Sequence, residues 1–111
     1  MRRAAWIAIA AAALAGCGSE RRATPADVQD DPGLRVFQAQ GCGSCHRLSS
    51  AGSSSSIGPN LDNALRNRDR DSIRQAIVNP PRDSVMPADF GQRLNAEQLD
   101  QLVDFLVKSS K

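Results

Sequence analysis

Residues 42–46 read CGSCH, and this short run holds the residues of the chain that are best suited to chemistry. Two thiols three positions apart, followed at once by an imidazole, form the pattern through which c-type haem is attached. The thiols add to the two vinyl groups of the haem, and the imidazole binds the iron. The run therefore favours a haem attached covalently through Cys42 and Cys45, with His46 as an iron ligand.

A C-x-x-C pair also occurs in other kinds of site. A zinc site needs further Cys or His ligands, whereas this chain has no second histidine and its remaining cysteine, Cys17, lies near the start. A thioredoxin-like site needs a βαβ context, and no strand pattern stands out in the sequence. A dithiol redox site at Cys42 and Cys45 stays open as the alternative.

A six-coordinate haem iron needs a second axial ligand, usually His or Met. Met86 is the only methionine besides Met1. It follows Pro80-Pro81 and precedes Pro87, so its surroundings disfavour helix. A lone methionine is often a gap-filler in a core, but Met86 has no periodic apolar face around it. We therefore predict that Met86 is the second ligand, 40 residues after His46, and that the chain wraps around the porphyrin.

The first 16 residues have the features of an export signal. Arg2 and Arg3 precede an apolar run of about a dozen residues, too short to span a bilayer as a permanent helix. The run ends in LAGC, with Cys17 as its last residue, which resembles the lipobox of bacterial lipoproteins. We predict a lipoprotein signal peptide at 1–16, lipidation of Cys17 and a flexible tether at 17–30. The alternative is an ordinary signal peptide that leaves Cys17 as a spare thiol.

The charge balance argues against a nucleic-acid-binding protein. The full chain has 14 Lys and Arg against 12 Asp and Glu. The excess comes from Arg2 and Arg3, so without residues 1–16 the counts are 12 and 12, before two haem propionates are added. A neutral or slightly acidic domain has no strong attraction to polyanions. Several arginines cluster, but aspartates interleave with them and indicate a solvated helix face; these are Arg66, Arg68, Arg70 and Arg74, with Asp62, Asp69 and Asp71.

Local signals predict helices and little else. A first helix begins at Pro32 with Asp31 as its N-cap, and Gly41 suits its C-terminal end. A second helix spans 71–78 and ends before two prolines. The last helix has a capping box and an apolar stripe at helical spacing; its residues are Asn95, Gln98, Leu99, Leu102, Val103 and Leu106. We interpret the loop from Leu48 to Ile57, with its run of four serines at 53–56, as free of chemistry, and Gly58-Pro59-Asn60-Leu61 as a tight turn.

The apolar core is small for an independent domain. After the first 16 residues, the only aromatic side chains are Phe37, Phe90 and Phe105. A domain of about 80 residues is marginally stable from its own apolar burial. A buried porphyrin would supply the missing apolar mass, so we expect the cofactor to be structural as well as functional.

With these residues identified, residues 31–111 resemble the small monohaem class I cytochromes c of bacteria. The resemblance rests on the order of several motifs: Gly33 and Phe37, the CGSCH run, Gly58-Pro59-Asn60-Leu61, Asn79-Pro80, Met86-Pro87 and the aliphatic last helix. It implies an all-α, single-domain fold in which the first and last helices cross around one covalent haem c. Gly33 would let these helices approach closely, and Phe37 would pack near Phe105.

The resemblance also implies details of the haem site. The Pro59 carbonyl would accept a hydrogen bond from the His46 nitrogen that does not bind iron, which fixes the ring and strengthens the ligand. Relatives often bind a haem propionate through Tyr or Trp, whereas this chain has no Tyr and its only Trp is Trp6. The propionate-binding role stays open among Arg47, Arg66 and Asn60.

The expected function is electron transfer between redox proteins, without catalysis. Electrons would pass through an exposed haem edge near Ile57, Pro59 and Val85, and the donor and acceptor are unidentified. We expect a monomer at the extracytoplasmic or periplasmic face of a bacterial membrane, held by its lipid and without a nucleic-acid partner. Two alternatives are a haem subunit or domain that serves a specific periplasmic oxidoreductase, and a gas-binding haem sensor with a labile Met86.

The lipobox-like ending predicts the effect of a Cys17→Ser substitution. Each lipid methylene that is buried in a bilayer contributes about 0.8 kcal/mol, so two or more long chains hold a protein stably. Cys17→Ser should abolish lipidation and leave either an uncleaved precursor or a released soluble form, as fractionation would show. Mass spectrometry that finds an unmodified Cys17 on the mature wild-type protein would rule out the anchor.

Overall fold

The computed structural model describes residues 30–111, and these form a mainly helical domain. The predicted signal peptide, Cys17 and nearly all of the tether lie outside the described residues. No helix within 30–111 is long and apolar enough to cross a membrane. The elements in chain order are α1 (Pro32–Ala39), a 3₁₀ turn (Cys42–Ser44), β1 (Arg47–Leu48), a second 3₁₀ turn (Ser49–Ala51), β2 (Ser53–Ser54), α2 (Leu61–Ala64), α3 (Arg70–Val78), α4 (Phe90–Arg93) and α5 (Ala96–Ser109).

The crossing of α1 and α5 is the most extensive helix contact in the described domain. A Cβ atom at Gly33 would overlap the Gln101 carbonyl oxygen and the Cβ of Phe105, so the two backbones can approach this closely only at a glycine. Near the crossing, the rings of Phe37 and Phe105 pack edge to face, with centroids 6.0 Å apart and planes at 62°. The predicted crossed helices, the close approach at Gly33 and the Phe37–Phe105 contact are confirmed.

The ends of the helices follow the local signals in the sequence. The Asp31 carboxylate accepts a hydrogen bond from the Gly33 N–H at 2.8 Å and caps α1. At α5, the Asn95 side chain accepts from the Gln98 N–H at 2.8 Å while the Asn95 N–H donates to the Gln98 side chain at 3.0 Å. This reciprocal pair is the predicted capping box. Helix α3 begins one residue before the predicted start and ends at Val78, as predicted.

One apolar core joins the helices. Helix α5 contributes the whole predicted stripe, and Leu94, directly before its cap, is buried beside it. The buried apolar residues are Leu34, Val36, Phe37, Leu48, Leu65, Ile73, Ile77, Phe90, Leu94, Leu99, Leu102, Val103, Phe105 and Leu106. This core fixes α1, α3 and α5 as a frame, and the segments that connect these helices carry the candidate functional residues.

Several local expectations were wrong. The loop predicted from Leu48 to Ile57 contains most of a two-residue antiparallel ladder of β1 and β2, in which Arg47 pairs with Ser54 and Leu48 with Ser53. Gly58 lies in a bend, Asn60 has extended backbone and Leu61 is the first residue of α2, whereas a tight turn was expected at 58–61. The four-residue helices α2 and α4 were not predicted, because they are too short to show an apolar period.

The interpretation of the arginine cluster as a solvated face was also incomplete. Arg70 and Arg74, both on α3, form ion pairs with Asp100 and Asp104 on α5. The sequence could not show this because the aspartates lie about 30 residues later, on a different helix. Half of the cluster therefore bridges two helices.

The close approach at Gly33 predicts a large effect of Gly33→Ala. The added methyl group meets backbone atoms that cannot rotate away, so α1 and α5 must move apart and Phe37 and Phe105 lose contact. Overpacking of this kind destabilises a core by about 1–3 kcal/mol, which denaturant unfolding would measure.

Gly91→Ala is the matched control for this substitution. A Cβ at Gly91 would lie 3.8 Å from Val78, which is ordinary van der Waals contact. The free energy of unfolding should stay unchanged or rise by up to about 1 kcal/mol, because alanine restricts the unfolded chain. If both substitutions lowered the free energy of unfolding equally, the close approach of α1 and α5 would not depend on the missing side chain at Gly33.

Candidate functional site

The CGSCH residues lie on a turn of helical backbone between α1 and β1. The 3₁₀ turn at Cys42–Ser44 extends through hydrogen bonds from the Cys45 and His46 N–H groups to the Cys42 carbonyl, at 3.2 and 3.0 Å. Residues at i, i+3 and i+4 share one face of such a turn. Cys42, Cys45 and His46 are therefore presented together; all three are half-buried, and both thiols are free.

The His46 ring is held by a single short contact. Its Nδ1 lies 2.8 Å from the carbonyl oxygen of Pro59. A carbonyl oxygen can only accept, so Nδ1 carries the proton in this contact. In a neutral imidazole the other nitrogen, Nε2, then has no proton and its lone pair can bind a metal. The contact thus selects the tautomer that an iron ligand requires.

Gly58 lies directly against the same ring. A Cβ atom at Gly58 would be 3.0 Å from Nδ1 and 2.8 Å from Cε1 of His46, and the shorter distance is closer than real Cβ atoms come. The Gly58 N–H donates to the Cys45 carbonyl at 2.7 Å. The backbone of residues 58–59 is therefore bound alongside residues 45–46, and only glycine leaves room for the ring to reach Pro59.

Met86 belongs to a separate segment, between α3 and α4, that contains neither helix nor strand. It is half-buried and packs against the same apolar core as Cys42, while its neighbours Val85 and Pro87 are exposed. The structure therefore groups Cys42, Cys45, His46 and Pro59 through direct contacts. It places Met86, on a different segment, against the same apolar core.

The surroundings of these residues fit a large apolar cofactor. Ile57, two residues before Pro59, is 69% exposed, and Val85, beside Met86, is 80% exposed. Large apolar side chains of this exposure are favourably covered by an apolar group. Two free thiols on one turn, an imidazole nitrogen with an available lone pair and apolar side chains beside both candidate ligands suit a covalently bound haem.

Comparison with known proteins identifies the family. Residues 28–106 match the family described as cytochrome c oxidase, cbb3-type, subunit III. This chain belongs to that family of cytochromes c. A curated relative, cytochrome c-555 of Methylococcus capsulatus, is 26% identical over 99 residues, which cover 89% of this chain and 77% of the relative. No solved structure matches the chain.

The membership confirms the predicted family, fold class and cofactor. The chain is a small monohaem cytochrome c that carries covalently bound haem c and acts as an electron carrier, not an enzyme. Proteins of this family are typically exported. The matched range contains all of the predicted haem residues, but their individual roles remain predictions.

The thiol environment in this cytochrome does not suit the alternative of a dithiol redox site. Burial raises the pKa of the Cys42 thiol from 9.0 to about 11. Redox-active C-x-x-C pairs rely on a lowered pKa, because the thiolate is the nucleophile. A half-buried thiol that stays protonated at neutral pH is instead compatible with a residue whose sulfur is used in a thioether bond.

Two polar residues that the sequence did not single out support the cytochrome's His46 segment. The Ser53 hydroxyl donates to the His46 carbonyl at 2.8 Å and accepts from the Leu48 N–H at 3.0 Å. Asp62, in the first turn of α2, accepts from the Ser49 N–H at 3.0 Å and from the Ser49 hydroxyl at 2.7 Å. Ser53 could not be chosen from a uniform serine run, whereas an aspartate two residues after the Asn60 cap was a usable signal.

Asp62 also bears on the open question of the propionates. Its carboxylate lies 3.9 Å from the Arg47 guanidinium. The Asn60 side chain accepts from the Asp62 N–H at 3.0 Å and caps α2. Two of the three residues considered for propionate binding, Arg47 and Asn60, are thus engaged by protein partners around Asp62.

These contacts predict a pH dependence that Asp62→Asn should remove. Hydrogen bonds from the Ser49 N–H and hydroxyl, with a smaller contribution from Arg47, lower the pKa of Asp62 below its ordinary 3.8. A lowered folded-state pKa stabilises the fold at pH above the ordinary value, and this stabilisation is lost as the pH falls through the folded value.

The melting temperature of the wild type should therefore exceed that of Asp62→Asn at neutral pH. The difference should shrink as the pH falls below about 4. Asp83→Asn, at an exposed loop carboxylate, is the control and should give a small difference at all pH values. A difference between wild type and Asp62→Asn that does not change with pH would refute the assigned role of the carboxylate.

Proposed function

We propose that this cytochrome is a lipid-anchored carrier that moves single electrons between redox proteins outside the cytoplasm. In this proposal Cys42 and Cys45 would hold the haem covalently, His46 and Met86 would bind its iron, and the Pro59 carbonyl orients His46. Cys17 bears the lipid. Family membership supports the electron-carrier function, and the residue roles, the anchor and the compartment are our extension of it.

The observation that carries the ligand assignment is the 2.8 Å contact between His46 Nδ1 and the Pro59 carbonyl. A histidine that binds a metal almost always donates its other ring N–H to a backbone carbonyl or carboxylate, and the bond increases ligand basicity. His46 has this partner, and the turn that carries it also presents two thiols. A histidine with a purely structural role has no need of a free Nε2 next to two thiols.

The residues around the haem would set its reduction potential. When bound, the haem supplies a one-electron couple. A thioether ligand such as Met86 and an apolar pocket both favour the reduced form and raise the potential. The ligands stay in place while an electron passes, so the site needs no general acid, base or nucleophile. This agrees with the absence of a second histidine from the sequence.

The exposed side chains around the site support transient docking. Ile57 and Pro59 are exposed on the segment that contacts His46, and Val85 is exposed beside Met86. Electron-transfer partners associate through small interfaces, which allows rapid release. We propose that these residues border the surface through which electrons enter and leave.

A tether at 17–30 would let the domain move near the membrane. A flexible chain of 14 residues reaches roughly 20 Å, enough to hold the domain close to the lipid surface while it meets different partners. A balanced formal charge without residues 1–16 means that the lipid, not electrostatic attraction, would hold the protein there.

A second candidate function is a haem subunit of a specific oxidoreductase. The description of the matched family, which names a subunit of an oxidase, favours this candidate. Gentle detergent extraction followed by affinity purification separates the two functions. A free carrier should elute alone, whereas a subunit should elute with its enzyme in a fixed ratio.

The ligand assignment predicts distinct effects of two substitutions at Met86. Met86→His should keep a six-coordinate, low-spin spectrum but lower the reduction potential, because a nitrogen ligand favours the oxidised state more than a thioether does. Met86→Ala should open the iron to carbon monoxide. The haem should stay attached in both variants, since Cys42 and Cys45 are unchanged.

Val85→Ala is the matched control, because it removes an exposed neighbour of Met86 that is not proposed as a ligand. Its spectrum should equal that of the wild type, and redox titration should give a similar potential. A Met86→Ala variant with the wild-type spectrum, potential and resistance to carbon monoxide would show that Met86 is not a ligand. A wild type that binds carbon monoxide readily would favour the gas-sensor alternative.

A further inference from the structure

Two arginines of α3 and two aspartates of α5 form a group that the haem site does not explain. Arg70 pairs with Asp104 and also lies 3.5 Å from Asp100, and Arg74 pairs with Asp100. The side chains are 30–54% exposed. We call these four residues the ionic brace. It joins the two helices on their solvent side.

The brace determines how α3 lies on α5. Helix α3 has nine residues and buries only Ile73 and Ile77 fully. These two side chains and the partly buried Val78 hold the short helix in the core but resist its sliding or rotation poorly, because apolar contact is not directional. The guanidinium–carboxylate pairs are directional. They therefore fix the register of α3 along α5.

Helix α3 leads directly into the segment that carries Met86. The segment from 79 to 89 contains one backbone hydrogen bond of its own, from the Ser84 N–H to the Pro81 carbonyl at 3.0 Å. Its position therefore depends on its two ends. Val78, the last residue of α3, lies beside Gly91 of α4, so the two ends are packed against each other.

The far end of this segment has its own local clamp. Arg93 donates to the Asp89 carboxylate at 2.8 Å and lies over the Phe90 ring, with its Cζ 5.3 Å from the ring centroid. Phe90 is buried in the core. The near end lacks such a clamp, because Asn79 bonds only to Gln75 one turn earlier in α3. If α3 moves, the end of the segment that begins at Asn79 therefore moves with it.

We propose that Arg70 and Arg74 are positioning residues. Through the ionic brace they hold α3, and the segment that follows it, where Met86 can bind the haem iron. The inference rests on the proposed function, in which Met86 binds the haem iron. Exposed ion pairs contribute little to overall stability, so the brace acts mainly on the placement of α3 and the 79–89 segment. It makes retention of Met86 sensitive to ionic strength, since salt screens exposed charges.

The test uses the purified haem-bound protein and four variants. The brace variant is Arg70→Gln/Arg74→Gln. The matched control, Arg35→Gln/Arg68→Gln, removes the same charge from arginines that pair with Asp30 and Ser72 and not with α5. The exchange variant, Arg70→Asp/Arg74→Asp/Asp100→Arg/Asp104→Arg, restores the pairs in reverse. Met86→Ala reports the state without the ligand.

Two readouts separate placement from stability. The sulfur-to-iron charge-transfer absorption of the oxidised protein reports bound Met86, and far-ultraviolet circular dichroism reports helix, both followed in urea, which adds no salt. The rate at which carbon monoxide binds the reduced protein reports how often Met86 leaves.

We expect the brace variant to lose the charge-transfer absorption at lower urea than the helical signal. Its carbon monoxide rate should rise roughly five- to tenfold, the change that two exposed ion pairs can exert on an equilibrium.

The control variant should behave as the wild type, and the exchange variant should recover most of the loss. Added salt should accelerate carbon monoxide binding to the wild type but not to the brace variant. A brace variant whose two urea transitions shift together, or whose carbon monoxide rate is unchanged, would overturn the inference while leaving Met86 as ligand. A wild type without the charge-transfer absorption, matching Met86→Ala, would instead refute the ligand assignment and with it the inference.

Discussion

The hydrogen bond between His46 Nδ1 and the Pro59 carbonyl is the contact on which the proposed site depends. It joins the cysteine turn to the segment before α2, and it decides which imidazole nitrogen is left for a metal. Gly58 makes the contact possible, because any larger residue would meet the ring. Asn60 and Asp62 then fix the same segment through the α2 cap and the bonds to Ser49. This hydrogen bond therefore holds two segments of the fold together and also determines which imidazole nitrogen can bind a metal.

Three helices, α1, α3 and α5, form the packed frame of the domain. The segments that connect them carry the candidate functional residues. Helices α1 and α5 cross where Gly33 removes the side chain between them, and α3 lies on α5 through two isoleucines and the ionic brace. The core contains only three aromatic rings. Exposed Ile57 and Val85 lie on the connections and not on the frame. The cofactor would therefore complete the apolar interior at the place where the two ligand-bearing connections meet it.

Much of this arrangement was predictable, because the decisive signals are local. Caps and prolines located the starts of α1, α3 and α5 and the end of α3 to within one residue, and the CGSCH run indicated the kind of cofactor. Contacts between residues that are far apart in the sequence were harder to predict. The pairs of Arg70 and Arg74 with α5 could not be seen in sequence, nor could the use of Ser53 among four equal serines. The α2 and α4 helices were missed because a single turn has no period. Close approach at Gly33 and the Pro59 contact were expected only through resemblance to a family.

The central claim is that the Pro59 carbonyl accepts a hydrogen bond from the Nδ1–H of His46, which leaves the lone pair of Nε2 for the haem iron. Because the chain contains one histidine, nuclear magnetic resonance of the reduced protein with isotope-labelled histidine gives signals from His46 alone. We expect a slowly exchanging proton on Nδ1, none on Nε2, and loss of this protection in Gly58→Ala. A proton found on Nε2 in the haem-bound protein would contradict it.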